Sequence, residues 1–368
     1  MPYVMVQIPK QQSAQSTVPA QPAAPVKSPE PARPAATRPL ATGALPTSAD
    51  VARRAGVSRA TVSYVLNNTS AVRISEPTRQ RVHEAAKELG YVPHAAARSL
   101  RAGHTRIVLV PTPDVPIGPL YSAFLNELQW ALSRLDYTVV QYGSVGRSGD
   151  RAARAWAELR PVAVLGPVGM GPDGIAVLRR SGARAVITLG PDRVEGAHAL
   201  LTDHRQVGRV AAEHLLARGH RRAGVVMPKE PGLDVFAVPR LEGVREAGAE
   251  TVRLPLAYDE QDAAQVAAQV RELGLDAVFA YNDEYAMLLM RALQDAGVDI
   301  PGDVAVMGAD DLMLGRLLRP RLSTVRLDLP SGRELAELVD RLVREPDPAP
   351  ESEPRNALTV TLVARDST

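Results

Sequence analysis

The stretch DVARRAGVSRATVSYVL, residues 50–66, decides the fold of the amino-terminal domain. Its apolar residues recur at helical spacing on both sides of Gly56, which predicts two short helices joined by a tight turn. Val51, Ala52 and Ala55 would form the buried face of the first helix. This order is typical of a helix-turn-helix DNA-binding motif, although a generic three-helix bundle would share the apolar spacing.

The second helix should begin after Ser58 and end near Leu66. In helix-turn-helix proteins the exposed residues at the start of this helix read base edges in the major groove. We therefore expect Arg59, Ala60 and Tyr64 to face bases, and Arg59 to pair with guanine through two hydrogen bonds. Polar side chains around them are expected at phosphates: Thr47, Ser58, Thr61, Ser63, Asn67 and Thr78.

The charge of the chain is unevenly distributed. The formal net charge of the 368 residues is only +2. Residues 47–105 carry nine cationic and four anionic side chains, residues 1–46 carry four against one, and the rest is acidic. A basic head on an acidic body indicates that a polyanion binds at one end, although a solvated charged surface would give a similar count.

Composition sets the class of protein. Residues 1–46 are rich in Pro, Ala, Gln, Ser and Thr, and we predict a disordered tail there, followed by a helix-turn-helix domain over 47–92. No apolar run approaches the roughly 18 residues of a membrane span, and no secretory signal is evident, so we expect no membrane partner and a cytoplasmic location. The absence of cysteine excludes a disulfide framework and thiolate chemistry. We expect no metal and no cofactor.

Beyond residue 105 short apolar runs alternate with amphipathic helices. This alternation predicts an α/β body of two doubly wound parallel-sheet subdomains. We place an amino-terminal subdomain at about 105–202 and 327–345. The carboxy-terminal subdomain takes about 203–326 and 346–368.

Several motifs resemble the lactose/galactose repressor (LacI/GalR) family of bacterial transcription regulators, in particular those of the actinobacterial type. They include residues 50–66, LGYVP at 89–93, ARSL at 97–100, GHRR at 219–222, DAVFAYND at 276–283 and VAVMGADD at 304–311. The resemblance covers the chain from residue 47 to its last residue, most closely in the first fifty. It implies a body like that of the periplasmic sugar-binding proteins, with a ligand between two lobes.

The resemblance also implies a hinge helix within residues 93–104. Two such helices, one from each protomer of a homodimer, would pack together in the minor groove of a pseudo-palindromic operator. Leu100 would wedge a base step, Ala97 would allow close approach of the helices, and His94 stands where the family usually has asparagine. The family's tetramers add a leucine-heptad helix after the body. This sequence shows none by Thr368, which favours a dimer.

The resemblance places a small-molecule effector, a sugar or another metabolite, at Arg240, Asn282 and Asp310. The two polar residues follow predicted strands, where ligands bind in α/β proteins. Turn and cap chemistry would explain them equally, and Arg240 could be a solvated or salt-bridged surface residue.

Four positions depart from sugar-binding members: Gly190, Ala309, Leu327 and Leu329. With three Phe and two Trp in the chain, stacking surfaces should be scarce. Either the effector is not an ordinary sugar, or the pocket is degenerate and the regulator acts without a ligand.

Other functions fit less well. GMGPDG at residues 169–174 has the glycine spacing of a dinucleotide-binding loop, and Asp192 follows at a suitable distance. However, Pro172 interrupts the turn that would hold the phosphates. A solute-binding protein would not need residues 47–101. The sequence also shows no combination of a nucleophile and a base that would indicate an enzyme. The sequence therefore predicts a transcription regulator, most simply a repressor.

Overall fold

The computed structural model describes residues 45–66, 72–92, 104–112, 118–143, 149–166, 170–346 and 355–368. They form two compact units that divide between residues 92 and 93, and each unit is treated separately below. We call them the headpiece and the body. None of the helices in these ranges is both long and apolar enough to cross a membrane.

The headpiece consists of three helices around a small apolar core. They are α1 (Ser48–Ala55), α2 (Arg59–Leu66) and α3 (Glu76–Glu88). Thr47 begins α1 with a capping box, because its hydroxyl oxygen accepts the N–H of Asp50 while the Asp50 carboxylate accepts the N–H of Thr47.

Gly56 follows α1 with a φ of 65°, a left-handed conformation that glycine adopts without steric cost. The core contains the residues that the helical spacing predicted, including Val51, Ala52, Ala55 and Val62. The predicted helix-turn-helix arrangement is confirmed.

The body contains two six-stranded sheets, one in each lobe. The strands of the first lobe are β1 (Ile107–Thr112), β2 (Thr138–Gly143), β3 (Ala163–Leu165), β4 (Ala185–Gly190), β5 (His198–Leu201) and β11 (Arg355–Asn356). Those of the second are β6 (Arg222–Pro228), β7 (Glu250–Leu256), β8 (Ala277–Phe279), β9 (Ala305–Ala309), β10 (Ser323–Asp328) and β12 (Thr359–Val363). We call the lobes the N-lobe and the C-lobe.

The strand orders are β11-β5-β4-β3-β1-β2 in the N-lobe and β12-β10-β9-β8-β6-β7 in the C-lobe. All neighbouring strands are parallel except β10 and β12, which are antiparallel. Helices cover both faces of each sheet, as parallel sheets require. The predicted doubly wound fold is confirmed.

In the N-lobe, helices α4 (Pro119–Arg134) and α11 (Gly332–Arg344) pack on one face of the sheet. Helices α5 (Asp150–Glu158) and α6 (Pro172–Arg180) pack on the other face. Pro172 is the first residue of α6, and a Cβ on Gly174 would lie 2.6 Å from Met170 Cγ. The glycine-rich sequence therefore serves helix packing in its described part.

In the C-lobe, α7 (Arg205–Ala217) packs against α8 (Asp234–Glu246), and α9 (Glu260–Glu272) packs against α10 (Asp283–Asp295). The first pair approaches closely through two glycines. A Cβ on Gly208 would lie 1.7 Å from the Arg240 carbonyl oxygen, and one on Gly243 would lie 1.9 Å from the Arg205 carbonyl oxygen. Because both obstacles are backbone atoms, neither position has room for a side chain.

Two predicted subdomain boundaries differ from the structure. Leu327 and Asp328 belong to β10 in the C-lobe sheet, whereas the sequence pattern placed them in the N-lobe. Conversely, β11 pairs with β5 in the N-lobe, although residues 346–368 were all predicted in the C-lobe. The chain therefore passes between the lobes at residues 202–204, 329–331 and 357–358. Such short crossings carry no apolar pattern that would mark a boundary.

Candidate DNA-binding and effector sites

The headpiece presents the predicted base-reading residues on its surface. Arg59 and Ala60 are exposed at the start of α2, and Tyr64 is exposed one turn later. Two other guanidinium groups of the headpiece are paired with carboxylates, since Arg53 contacts Asp50 at 3.1 Å and Arg54 contacts Glu88 at 2.6 Å. Arg59 has no carboxylate partner within the described ranges of the headpiece.

The predicted phosphate-binding side chains in the described headpiece already make local hydrogen bonds. Ser58 Oγ accepts the N–H of Thr61 at 3.1 Å, so Ser58 caps α2. Thr78 Oγ1 accepts from Ser75 Oγ at 3.0 Å. Thr47 donates its hydroxyl proton to the Asp50 carboxylate at 2.6 Å, so a phosphate would have to compete with that carboxylate.

Several predicted contact residues lie outside the described residues. They are Asn67 in the headpiece and His94, Ala97 and Leu100 in the hinge segment. Ser63 is partly buried on α2.

In the body, the three predicted effector-binding residues come together at the carboxyl ends of the C-lobe strands. Arg240 is buried, with 5% of its surface exposed, so a solvated surface arginine is excluded. Its Nη1 donates to the Tyr281 carbonyl, and Nη2 lies 3.9 Å from Asp310 Oδ1. Its buried Nε has no hydrogen-bond partner in the part of the chain that the structure describes. A buried unpaired donor is costly, which favours a site that a ligand completes.

Asp310 follows β9 in a left-handed conformation with a φ of 106°, and Asp311 has a φ of 53°. Such conformations cost about 1–3 kcal/mol each in residues other than glycine and cluster at functional sites. Burial raises the pKa of Asp310 to about 6, against the opposing effect of the nearby Arg240. Asp311 is held by ion pairs with Arg316 and Arg365.

Asn282 combines the two roles that the sequence left open. Its Oδ1 accepts the N–H of Tyr285 at 3.1 Å, so it caps α10. Its side chain also interacts with Asp310, which offsets a small part of the rise that burial causes in the pKa of that carboxyl. Sequence reasoning missed the next residue, Asp283, which is fully buried and accepts a hydrogen bond from Thr324 Oγ1 at 2.6 Å. Its position directly after a predicted effector residue was the available signal.

Tyrosines supply aromatic surfaces beside Arg240. The Arg240 guanidinium carbon lies 4.8 Å from the centroid of the Tyr281 ring, a cation–π contact. Tyr281 meets the Tyr285 ring edge-on at 5.5 Å, and Tyr285 lies 5.2 Å from the half-exposed Tyr258. Tyr281 and Tyr285 are buried in this cluster, and the expectation that stacking surfaces are scarce stays a prediction.

His204 links this cluster to a crossing between the lobes. It lies in the segment between β5 and α7, with Nδ1 3.5 Å from Arg240 Nη2 and its ring 5.0 Å from that of Phe236. Burial, with a further contribution from the Arg240 charge, lowers the pKa of His204 to about 3. The imidazole is therefore neutral at physiological pH.

Two of the four departures expected in the pocket have structural roles. Ala309 is fully buried at the end of β9, and Leu327 packs in the core of the C-lobe. Leu329 lies at a crossing between the lobes and lines a groove with Leu200 and Leu335. Gly190 ends β4.

The fold and these two sites define a class of protein, a helix-turn-helix DNA-binding domain joined to a two-lobed ligand-binding domain. Comparison with known proteins agrees with this class. Residues 47–94 match the family of bacterial regulatory proteins of the lacI type, and residues 212–368 match the periplasmic binding protein-like domain.

The chain belongs to the LacI family and is a DNA-binding transcription regulator. It is 32% identical to the HTH-type transcriptional regulator GalR of Escherichia coli over 332 residues, which cover 86% of this chain and 94% of GalR. It is also 32% identical to the regulator CelR of Thermobifida fusca over 330 residues, covering 82% and 93% of the two chains. A solved complex of CelR with cellobiose covers 88% of this chain and all of that chain, with a TM-score of 0.58 and 28% identity.

The neutral state of His204 predicts a pH dependence of stability. Below about pH 6.5 the unfolded chain binds a proton at His204 that the folded chain does not bind until about pH 3, so acid favours unfolding. We expect His204 to lower the free energy of unfolding by about 2 kcal/mol between pH 7 and pH 5. Replacing His204 by Asn should remove this component from urea unfolding curves followed by circular dichroism.

The exposed His83 provides the matched control, because His83→Asn should leave the pH dependence as in the wild type. Equal pH dependence in His204→Asn and wild type would show that His204 is not held neutral by the fold.

Proposed function

We propose that this regulator is a repressor that binds a pseudo-palindromic operator as a homodimer in the cytoplasm, with its DNA affinity set by a small-molecule effector between the lobes. The unpartnered Nε of the buried Arg240 is the observation that carries effector binding. It favours a ligand-responsive regulator over one with a degenerate pocket, because a ligand acceptor would satisfy this donor. Since the relatives are transcription regulators, we propose no enzymatic activity.

Within the headpiece, Arg59, Ala60 and Tyr64 read bases. Their exposure on α2 supports this role. The side chains of Thr47, Ser58, Thr61, Ser63, Asn67 and Thr78 contact phosphates, which fixes the position of α2 in the major groove. In the hinge segment, His94, Ala97 and Leu100 contact the minor groove, with Leu100 as the wedge.

The effector is a neutral, hydroxyl-rich compound of the sugar class. Asp310 and Asn282 suit the hydroxyl groups of such a ligand, and the unpartnered Nε of Arg240 suits a hydroxyl or ring oxygen. The cellobiose bound by CelR belongs to this class. Effector binding changes DNA affinity only if the effector binds one arrangement of the two lobes more tightly than the other. His204 contacts Arg240 and lies in a segment that connects the lobes, so it can transmit this preference.

Dimerisation is supported by exposed apolar side chains on the body. Trp130 on α4 is 75% exposed, and a 3-10 helix after β9 (Met313–Arg316) exposes Met313 and Leu314, followed by the exposed Leu317. Exposed apolar clusters of this kind mark protein interfaces, and a palindromic operator requires a two-fold symmetric partner.

The role of Arg59 is tested on DNA fragments selected from a random pool by the wild-type protein. The Arg59→Ala variant should bind the selected sequence about 5- to 150-fold more weakly and should lose its preference at one base position. Fluorescence anisotropy at a fixed salt concentration measures the affinity. The control Arg54→Ala removes a guanidinium that is paired with Glu88 and should keep the base preference. If both variants keep it, Arg59 reads no base.

The dimer interface is tested by sedimentation velocity. A Met313→Glu/Leu317→Glu double variant should sediment as a monomer at concentrations where the wild type is a dimer, because charged groups cannot be buried unpaired. The control Leu362→Glu changes an exposed leucine on β12 and should remain dimeric. A dimeric double variant would place the interface elsewhere.

A further inference from the structure

The backbone that carries Asp310 is held at three consecutive N–H groups. The N–H of Asp310 donates to a backbone carbonyl of β10 at 2.8 Å, and the N–H of Asp311 donates to Thr324 Oγ1 at 3.4 Å. The N–H of Leu312 donates to the Asp283 carboxylate at 2.7 Å. The sheet therefore supplies only the first acceptor, and side chains supply the other two.

Asp283 and Thr324 are themselves joined by a hydrogen bond. Thr324 Oγ1 donates to Asp283 Oδ1 at 2.6 Å, while the other carboxylate oxygen, Oδ2, accepts the N–H of Leu312. Both carboxylate oxygens therefore accept, which an ionised aspartate can do and an asparagine cannot, because asparagine has a single acceptor oxygen. Since the hydroxyl proton of Thr324 points to Asp283, its oxygen is free to accept the N–H of Asp311.

The Asp283 carboxylate is costly for the stability of the fold. It is fully buried, and no cation lies at ion-pairing distance in the part of the chain that the structure describes. The nearby guanidinium groups of Arg316 and Arg365 pair with Asp311 instead. Burial raises the pKa of Asp283 to about 7, although its two hydrogen bonds oppose the rise. The dipole of α10 offsets only part of this cost, which indicates a role beyond packing.

Strand β9 leaves space for this carboxylate. Gly308 lies in β9, two residues before Asp310. A Cβ on Gly308 would lie 2.3 Å from Asp283 Oδ1 and 3.1 Å from Asp283 Cα. The strand therefore approaches the first residue of α10 too closely for a side chain, and the carboxylate fills the space beside the glycine.

Asp310 needs this support because its backbone is strained. Its φ is 106°, and that of Asp311 is 53°. Residues other than glycine keep such conformations only where the surrounding structure imposes them. In this conformation Asp310 Oδ1 lies 3.9 Å from Arg240 Nη2. A relaxed backbone would turn the carboxylate away from Arg240.

We propose that Asp283 is a positioning residue of the effector site, which holds Asp310 in the strained conformation that places its carboxylate beside Arg240. Thr324 acts together with Asp283, because their hydrogen bond orients both acceptors. Asp283 is fully buried and acts through Asp310. This inference rests on the proposed function, in which Asp310 binds the effector.

The first test needs no effector. Hydrogen exchange of the full-length protein is followed by mass spectrometry at about pH 8, where Asp283 is ionised. Peptides that contain Asp311 and Leu312 should exchange slowly in wild type and about tenfold faster in Asp283→Asn, because one hydrogen bond is lost. The control Asp303→Asn alters a carboxylate that accepts the N–H of Asp299 before β9, and these peptides should exchange as in wild type. Equal exchange in wild type and Asp283→Asn would overturn the assignment.

The second test measures the affinity for cellobiose by isothermal titration calorimetry at the same pH. Asp283→Asn should bind cellobiose about tenfold more weakly than wild type, whereas Asp303→Asn should bind it equally well. Thr324→Val should also weaken binding. The double variant should bind no more weakly than the weaker single variant, because both residues act through one hydrogen-bonded pair.

Two outcomes of the second test contradict the inference. They are equal affinity of wild type and Asp283→Asn, and additive losses in the double variant. If wild type does not bind cellobiose while Asp283→Asn accelerates exchange at Asp311 and Leu312, the proposed sugar effector fails and the positioning role of Asp283 stands.

Discussion

The close approach of α7 and α8 at two glycines is the constraint on which the effector site depends. Gly208 and Gly243 place backbone against backbone, and this contact buries Arg240 at the carboxyl ends of the C-lobe strands. A side chain at either glycine would push α8 outward. Arg240 would then lose both the Tyr281 carbonyl and its proximity to Asp310.

Because of this constraint, the body contains a cluster of buried polar groups whose hydrogen-bonding capacity is only partly satisfied. Arg240 makes contacts with Tyr281, His204 and Asp310, yet its Nε has no partner in the described part of the chain. Asp310 is strained, partly buried and protonated more readily than an ordinary aspartate. A hydroxyl-rich ligand binds such a polar cluster more tightly than a cluster whose hydrogen bonds are all satisfied. Each new hydrogen bond satisfies a group that folding had removed from water without a partner.

The sequence predicts the headpiece almost completely, because its local signals agree. The glycine turn, the cap at Thr47 and the apolar spacing of α1 and α2 all indicate the same structure. In the body the short apolar runs indicate buried strands, whereas the edge strand β7 gives a weaker signal because Pro255 interrupts it. Pro239 likewise weakens the helical signal of α8.

The effector site was only partly predictable. Arg240, Asn282 and Asp310 were named from family resemblance, and the structure brings them together. The tyrosine cluster and His204 could not be placed from sequence, because their roles arise from contacts between segments that are far apart in the chain. Burial of Arg240 likewise depends on a helix pair whose glycines have no distinctive pattern.

The most direct test of the central claim is the affinity of the protein for its selected operator, measured with and without cellobiose and a panel of neutral sugars. The account predicts that at least one of them changes the Kd for the operator by about tenfold or more in wild type. It also predicts that a folded Arg240→Lys variant, which lacks the planar fork of the guanidinium, does not respond. If no compound changes the wild-type affinity, or if Arg240→Lys responds equally, the cleft at Arg240 does not control DNA binding.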